Sequence, residues 1–431
     1  MMPAWGIQTG VSPLCALLIL LVPLAIAGLA LINTGFGRAR GAAHAMLSSL
    51  AAVAIAALVY CLWGCSWAGF PAGPRHLFML GGKPWDWIGG APLLLRAATL
   101  QSSTASLTLL LELFTVSLAA LIPISTGAGR WRLRSVCIST AIFAGCTYPL
   151  FAHWVWGNGW LAQLGGNFGL GRGCLDPGGA GTVQALGGLS ALSIAWILGP
   201  RRGRYVAGGG LTSIPGHNIV YVLFGCALLV PGWIGMNSAG AMLFAGVTPA
   251  RIPLIAVNTV LSASISCLVA LAVTRVRFGK PDASLCANGW VAGLVASSAV
   301  CCFVTPAIAL VVGAVAGALV MLSVELLEVH LMVDDPGGAI SVHVVAGLWG
   351  LLALGIFPRL SGTGGDSGQL LAQVVGVAAL VGLMLPISFG LNWLQNRIDP
   401  QRVSPGGERM GTDLHELGGG AYPEFALRSE E

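Results

Sequence analysis

Asp176-Pro177-Gly178-Gly179-Ala180 recurs as Asp335-Pro336-Gly337-Gly338-Ala339, and the agreement runs on at the same offset: Val183 with Val342, Gly188 with Gly347, Leu189 with Leu348, Leu192 with Leu351. Each copy opens a long apolar run. Asp followed by Pro is a strong helix start, since the carboxylate caps free N–H groups and the proline ring is preset for the first turn. Such a start, repeated in a chain built of apolar runs, points to a duplicated membrane protein whose two copies bracket a substrate path.

Composition agrees. Apolar residues make up 56% of the chain and charged residues 9%. Soluble domains carry about 25% charged residues, so this chain belongs in a bilayer. Its 62 glycines suit close packing of helices in lipid. The net charge of +5 comes with no basic tract, so it implies no nucleic-acid partner. Most of the 11 cysteines lie in apolar runs, as Cys61, Cys146, Cys226 and Cys267 do, and read as small buried hydrophobes rather than a disulfide framework or metal cluster. Cys174 falls in a polar loop and is expected to be open to an impermeant thiol reagent. No metal or cofactor is implied, and no nucleophile–base pair suggests an enzyme. The N-terminus lacks the basic residues of a signal peptide, so the first span is taken from Ser12 onward.

Eleven apolar segments predict an all-α polytopic fold: 12–32, 45–69, 103–126, 135–155, 178–199, 218–236, 253–274, 287–304, 305–327, 339–357 and 370–394. The connection near Phe303 and Thr305 is very short. With the N-terminus outside, six of the 21 Lys and Arg fall outside: Arg75, Lys83, Arg96, Arg172, Arg251 and Arg359. The other fifteen, from Arg38 to Arg428, fall inside, which obeys the positive-inside rule for a cell-membrane protein with a cytoplasmic C-terminus. The membrane domain covers 1–394, and the polar stretch 395–431 reads as a solvated cytoplasmic tail. The Asp-Pro strings open the fifth and tenth segments, an odd separation, so the two helices enter from opposite faces. The result is an inverted repeat, 12–199 against 218–357, with 370–394 left over.

Gln184 lies eight residues after Asp176, and His343 eight after Asp335. At about 1.5 Å per residue each sits about 12 Å from its own end of a core about 30 Å thick. The two side chains should therefore meet near the midplane. His343, alone among seven histidines, falls deep in a span. Polar groups there are costly and tend to line a path. The plainer readings are that His343 simply bonds a neighbour, and that Asp176 and Asp335 are chiefly helix caps.

The strings Tyr148-Pro149 through His153-Trp154-Val155-Trp156-Gly157-Asn158-Gly159, Asp176 through Gly188, Gly232-Trp233-Ile234-Gly235-Met236-Asn237, Asp334-Asp335-Pro336 through His343 and Gly347, and Arg409-Met410-Gly411-Thr412-Asp413-Leu414-His415 through Ala421-Tyr422 span the chain. On these strings the whole chain resembles the Amt/Mep/Rh ammonium transporters, bacterial Amt branch. The resemblance implies a homotrimer with one pore through each eleven-span subunit. It implies recruitment of ammonium at an outer site where Trp156 offers cation–π attraction, unless Trp156 is only an interfacial belt residue. Asp176 matches an Asp that stabilises the cation or holds the vestibule together, and Asp335 sits at the inner vestibule as a helix cap. Deprotonation there spares a desolvated charge the passage, and ammonia crosses past paired histidines. Gly411, Asp413, His415 and Tyr422 fall in the regulatory tail. A PII-family protein could dock on that cytoplasmic face; alternatively the tail only packs under the trimer and couples its subunits.

Departures from the family pattern cluster at the pore. The first pore histidine is Gln184, which exchanges no proton at usable pH. An outer phenylalanine aligns with Thr115, with Phe114 one position off, and a second with Met236. A serine of the outer site aligns with Gly240, near Ser238. A conserved glutamine falls at Glu112, and Gly129 stands where an acidic residue usually precedes Arg130. The expected function is an ammonium transporter or ammonia channel with an altered filter. The alternatives are an ammonium sensor with little flux and a passage for another small neutral solute such as carbon dioxide.

Overall fold

The computed structural model describes residues 12–70, 75–96, 100, 103–206, 210–357 and 367–422. Arg359 and Arg428, counted in the charge balance, lie outside them. Among the described residues, ten helices are long and apolar enough to cross a membrane. They are α1 (Ser12–Phe36), α2 (Ala39–Ala68), α3 (Thr104–Thr126), α4 (Leu133–Val155), α5 (Ala180–Leu198), α6 (Ile219–Phe244), α7 (Pro249–Phe278), α8 (Ala283–Val300), α9 (Pro306–His330) and, after α10, α11 (Ser367–Ile398). The helix α10 (Ile340–Ile356) is shorter. Each of the eleven segments read from the sequence thus has its helix among the described residues, ten of them long and one, α10, shorter. α10, like α5, is entered through a non-helical Asp-Pro-Gly-Gly stretch. The short connection near Phe303 holds because Asn258 Nδ2 donates to the carbonyls of Cys301 and Val304, satisfying the turn between α8 and α9.

The repeat is built as two antiparallel helices that touch. A Cβ on Gly188 would lie 2.8 Å from the Val344 nitrogen, and one on Gly347 would lie 2.5 Å from the Ala180 carbonyl. Only glycine lets these two backbones close, which is why it recurs at the same place in both copies. The repeated Gly179 and Gly338 serve the turn before each helix, with φ of +81° and +67°. Around this pair α1 packs along α6, and α3 lies against α5. α3 and α5 are largely buried, whereas outer helices expose apolar side chains such as Leu50, Leu58, Leu268 and Leu394, as suits a lipid-facing surface.

Two parts differ from the sequence reading. Between α2 and α3 lies an antiparallel hairpin, β1 (Arg75–Leu80) and β2 (Lys83–Gly89). It is anchored by Asp86, whose carboxylate meets His153 Nε2 at 3.0 Å, and by stacking of Trp85 and Trp87 on Trp160. The described part of the tail, through residue 422, is docked on the helices while leaving residues such as Met410 exposed. Asp413 accepts the N–H groups of Ala43 and His44 at the start of α2, Glu416 accepts the N–H of Leu133 at the start of α4, and Glu408 accepts the N–H of Arg202. Three free helix or turn ends thus draw the acidic side chains down. Gly411 adopts φ +103° with its Cα against Arg40, His415 packs on Gly407, and Tyr422 Oη meets His217 Nε2 at 3.0 Å. Cys174 also corrects its reading: it lies in a loop yet is 2% exposed, packed against Gly376, and burial pushes its thiol pKa up.

Candidate pore and recruitment site

The repeated aspartates cap their helices as expected, but not identically. Asp176 Oδ2 accepts the N–H of Gly181 at 3.0 Å, the N–H of Thr182 at 2.7 Å and the Thr182 hydroxyl at 2.8 Å. Asp335 Oδ2 accepts the N–H of Ile340, and its Oδ1 accepts the Thr126 hydroxyl, both at 2.7 Å. The buried Oδ1 of Asp176 has no such partner among the described residues. Burial pushes both carboxyls upward in pKa, opposed at Asp176 by the Thr182 and Gly181 hydrogen bonds.

Behind each cap the helix starts with a π-helical turn, Ala180–Ala185 and Ile340–Val345. The wider turn shifts side chains relative to an α-helix and is common at functional sites. Gln184 lies on the first turn and His343 on the second. They meet across the antiparallel crossing, His343 Nδ1 to Gln184 Oε1 at 2.8 Å, with His343 3% and Gln184 0% exposed. An amide oxygen only accepts, so Nδ1 carries the hydrogen and Nε2 is left as the ring's acceptor. A narrow cavity of about 10 Å³ adjoins His343, lined also by Ser125, Asn288 and Val342. Asn288 and Asp335 line a wider cavity of about 760 Å³ at the Asp335 end, with Arg201, Arg204 and Glu328.

That end is set by one buried ion cluster. Arg201 holds Asp334 through two side-chain hydrogen bonds of 2.8 Å, and Arg130 lies 3.6 Å away. Burial opposes the charge on Asp334, but Arg201 and Arg130 outweigh it and hold the carboxyl down to about 2. Arg130, fully buried, is pushed down to about 10 by burial against the pull of Asp334. The tail reaches the residue beside Arg201: Glu408 accepts the N–H of Arg202 at 2.7 Å and, within the tail, bonds Arg402 at 2.8 Å.

At the Asp176 end, Trp156 Nε1 donates to the Asp176 carbonyl at 2.7 Å, so these two sequence-predicted residues come together. One face of the Trp156 ring is covered. Phe244 stacks on Trp156 with centroids 4.4 Å apart and planes 4° apart. Met236, 1% exposed, and Gly240 precede Phe244 by two turns and one turn on α6. No side chain fits at Gly240, where a Cβ would run into the Pro177 carbonyl. Thr115 turns to Tyr148, hydroxyl to hydroxyl at 2.7 Å, and Phe114 is half-buried against the apolar core. Sequence reading missed the two π-helical turns, the Asp334 cluster and Phe244; the spacing 236, 240, 244 along one helix face was the signal for Phe244.

Comparison with known proteins follows the same outline. The ammonium transporter Amt2 of Archaeoglobus fulgidus is 34% identical over 425 residues, covering 94% of this chain and 86% of that protein. An ammonium transporter of Bacillus subtilis is 29% identical, covering 95% and 97%. Among solved structures, a protein described as "Sensor Amt Protein" superposes with a TM-score of 0.83 at 28% identity, covering 95% of this chain and 99% of that one. Mep2 of Candida albicans shares the fold, with a TM-score of 0.79 at 23% identity. Residues 14–422 match the Ammonium Transporter Family, and the chain belongs to that family.

Proposed function

We propose that the chain is an ammonium transporter or ammonia channel of the cell membrane, with the Asp176 end outside and a pore through each subunit of a homotrimer. The observation that carries this reading is the buried contact of Gln184 with His343, made by two π-helical turns at an antiparallel crossing. Asp176 supports recruitment, because its buried Oδ1 lacks a hydrogen-bond partner among the described residues and a cation would satisfy it. Trp156, Phe114, Thr115, Phe244 and Met236 form the approach. Moving a bare ion through such a constriction costs several kcal/mol or more, so ammonium loses a proton before the filter. Gln184 has no titratable nitrogen and His343 has no second imidazole beside it among the described residues, so the filter passes ammonia with little or no charge. On the cytoplasmic side, the docked tail with Asp413 and Tyr422 offers a surface for a PII-family regulator. Currents from reconstituted protein on pulses of ammonium, methylammonium and potassium, read beside uptake, test this. Ammonium uptake with little current and no response to potassium supports it.

A second reading, an ammonium sensor with little flux, has one observation behind it: Phe244 covers a face of Trp156 that a cation would use. The likeness to a structure described as "Sensor Amt Protein" fits it too. Tight binding without uptake would favour the sensor.

A further inference from the structure

Glu112 is fully buried in α3, and among the described residues no basic side chain pairs with it. Its Oε2 is hydrogen-bonded to Tyr60 Oη of α2, and its Oε1 has no partner among the described residues. One turn along, Thr115 meets Tyr148, whose ring packs edge-to-face on Tyr60 at 6.0 Å. Tyr148 lies in the field of both Glu112 and Asp176, so the carboxyl sits beside the recruitment end.

Its depth follows from packing. α3 and α5 both end at the Asp334–Asp335 segment, Thr126 on Asp335 and Arg201 on Asp334, so they run parallel. Gly187 packs on Ala119. Counting back seven residues on each helix puts Glu112 level with Ala180. That is about 6 Å from the level of Gln184, toward the Asp176 end. A carboxyl with one bonded and one vacant oxygen therefore lies at a depth ahead of the filter residue, which cannot take a proton. A lone carboxylate there is costly, and an arriving cation relieves that cost.

We infer that Glu112 is the proton-exchange site on the approach to the filter, with ammonium or a small alkylammonium as its substrate; this rests on the transport reading above. An N–H bond of the ammonium breaks, its electron pair stays on nitrogen, and the proton bonds to Oε1. Cation and carboxylate become ammonia and a carboxylic acid. Tyr60 donates to Oε2, and the arriving cation completes the stabilisation of the anionic state that takes the proton. Gln184 offers the proton no onward route, so it leaves Glu112 by the side from which it came.

The test pairs a spectrum with a flux, both on the reconstituted full chain. Infrared difference spectra on adding ammonium are expected to show a new protonated-carboxyl band, lost in Glu112→Gln. Alkalinisation of the vesicle lumen at limiting ammonium, above protein-free vesicles, is expected to fall by about a hundredfold in Glu112→Gln and to recover in part in Glu112→Asp. A band that persists in Glu112→Gln, or a rate within about twofold of the parent, overturns the inference. Should Glu112→Gln not fold, Tyr60→Phe leaves the carboxyl in place and must move the pH at which the band appears; an unmoved band overturns it. If the parent itself gives no ammonium-dependent flux, the transport reading fails. The band alone then decides Glu112, supporting it when present and moved by Tyr60→Phe.

Discussion

Asp176 and Asp335 both give Oδ2 to the helix they open, yet Thr126 fills the second oxygen of Asp335 while that of Asp176 stays vacant. Asparagine caps about as well as aspartate but carries no charge. Asp176→Asn is therefore expected to keep the fold and abolish methylammonium uptake, while Asp335→Asn keeps most of it; equal losses in radiolabelled uptake would make both residues caps. Phe244 invites the opposite substitution. Uncovering Trp156 with Phe244→Leu frees a cation–π face worth about 0.5–2 kcal/mol, so methylammonium should bind about two- to thirtyfold tighter in equilibrium titration. Unchanged binding would leave Phe244 a packing residue. Gln184 and His343 were legible from the sequence because the repeat fixes their depth from two ends. Phe244 was not, because alignment with the family drew the eye to Met236, and the stack depends on where α4 and α6 end in space.

The helices were legible for a simple reason: apolar runs of this length have few other uses. The π-helical turns that open α5 and α10 were not, since their residues read in sequence like the first turn of any span. The tail was misread because its acidic residues find their partners far along the chain, Asp413 at His44 and Glu416 at Leu133. Removing one such cap with Asp413→Ala should cost about 0.5–2 kcal/mol, visible as a lower melting midpoint. Asp334 is a larger matter. Its loss leaves Arg130 and Arg201 buried without their carboxylate, a cost of about 3–5 kcal/mol. With the folded carboxyl held down to about 2 against about 3.9 in an unfolded chain, its contribution is present above about pH 4 and is lost as pH falls toward 2. The gap in melting midpoint between parent and Asp334→Asn should close over that window; a gap that stays constant would deny the ion cluster its role.

For the whole molecule, the inverted repeat accounts for the antiparallel pair at the centre, and the loop charges propose which end faces out. Cys174 does not report on that, being buried against α11. Phe78 on the hairpin and Met410 in the tail are 64% and 54% exposed and lie at opposite ends. On intact cells an impermeant maleimide should label Phe78→Cys above the parent and leave Met410→Cys unlabelled until the membrane is opened; the reverse pattern inverts the orientation. In the proposed function, a single imidazole held by an amide passes ammonia without relaying its proton. The direct measurement is ammonium-driven current beside luminal alkalinisation, for the parent and for Gln184→His in matched vesicles. Alkalinisation with little current in the parent, and a larger current in Gln184→His, is the expected result. Currents and ion selectivity that match between the two would contradict it.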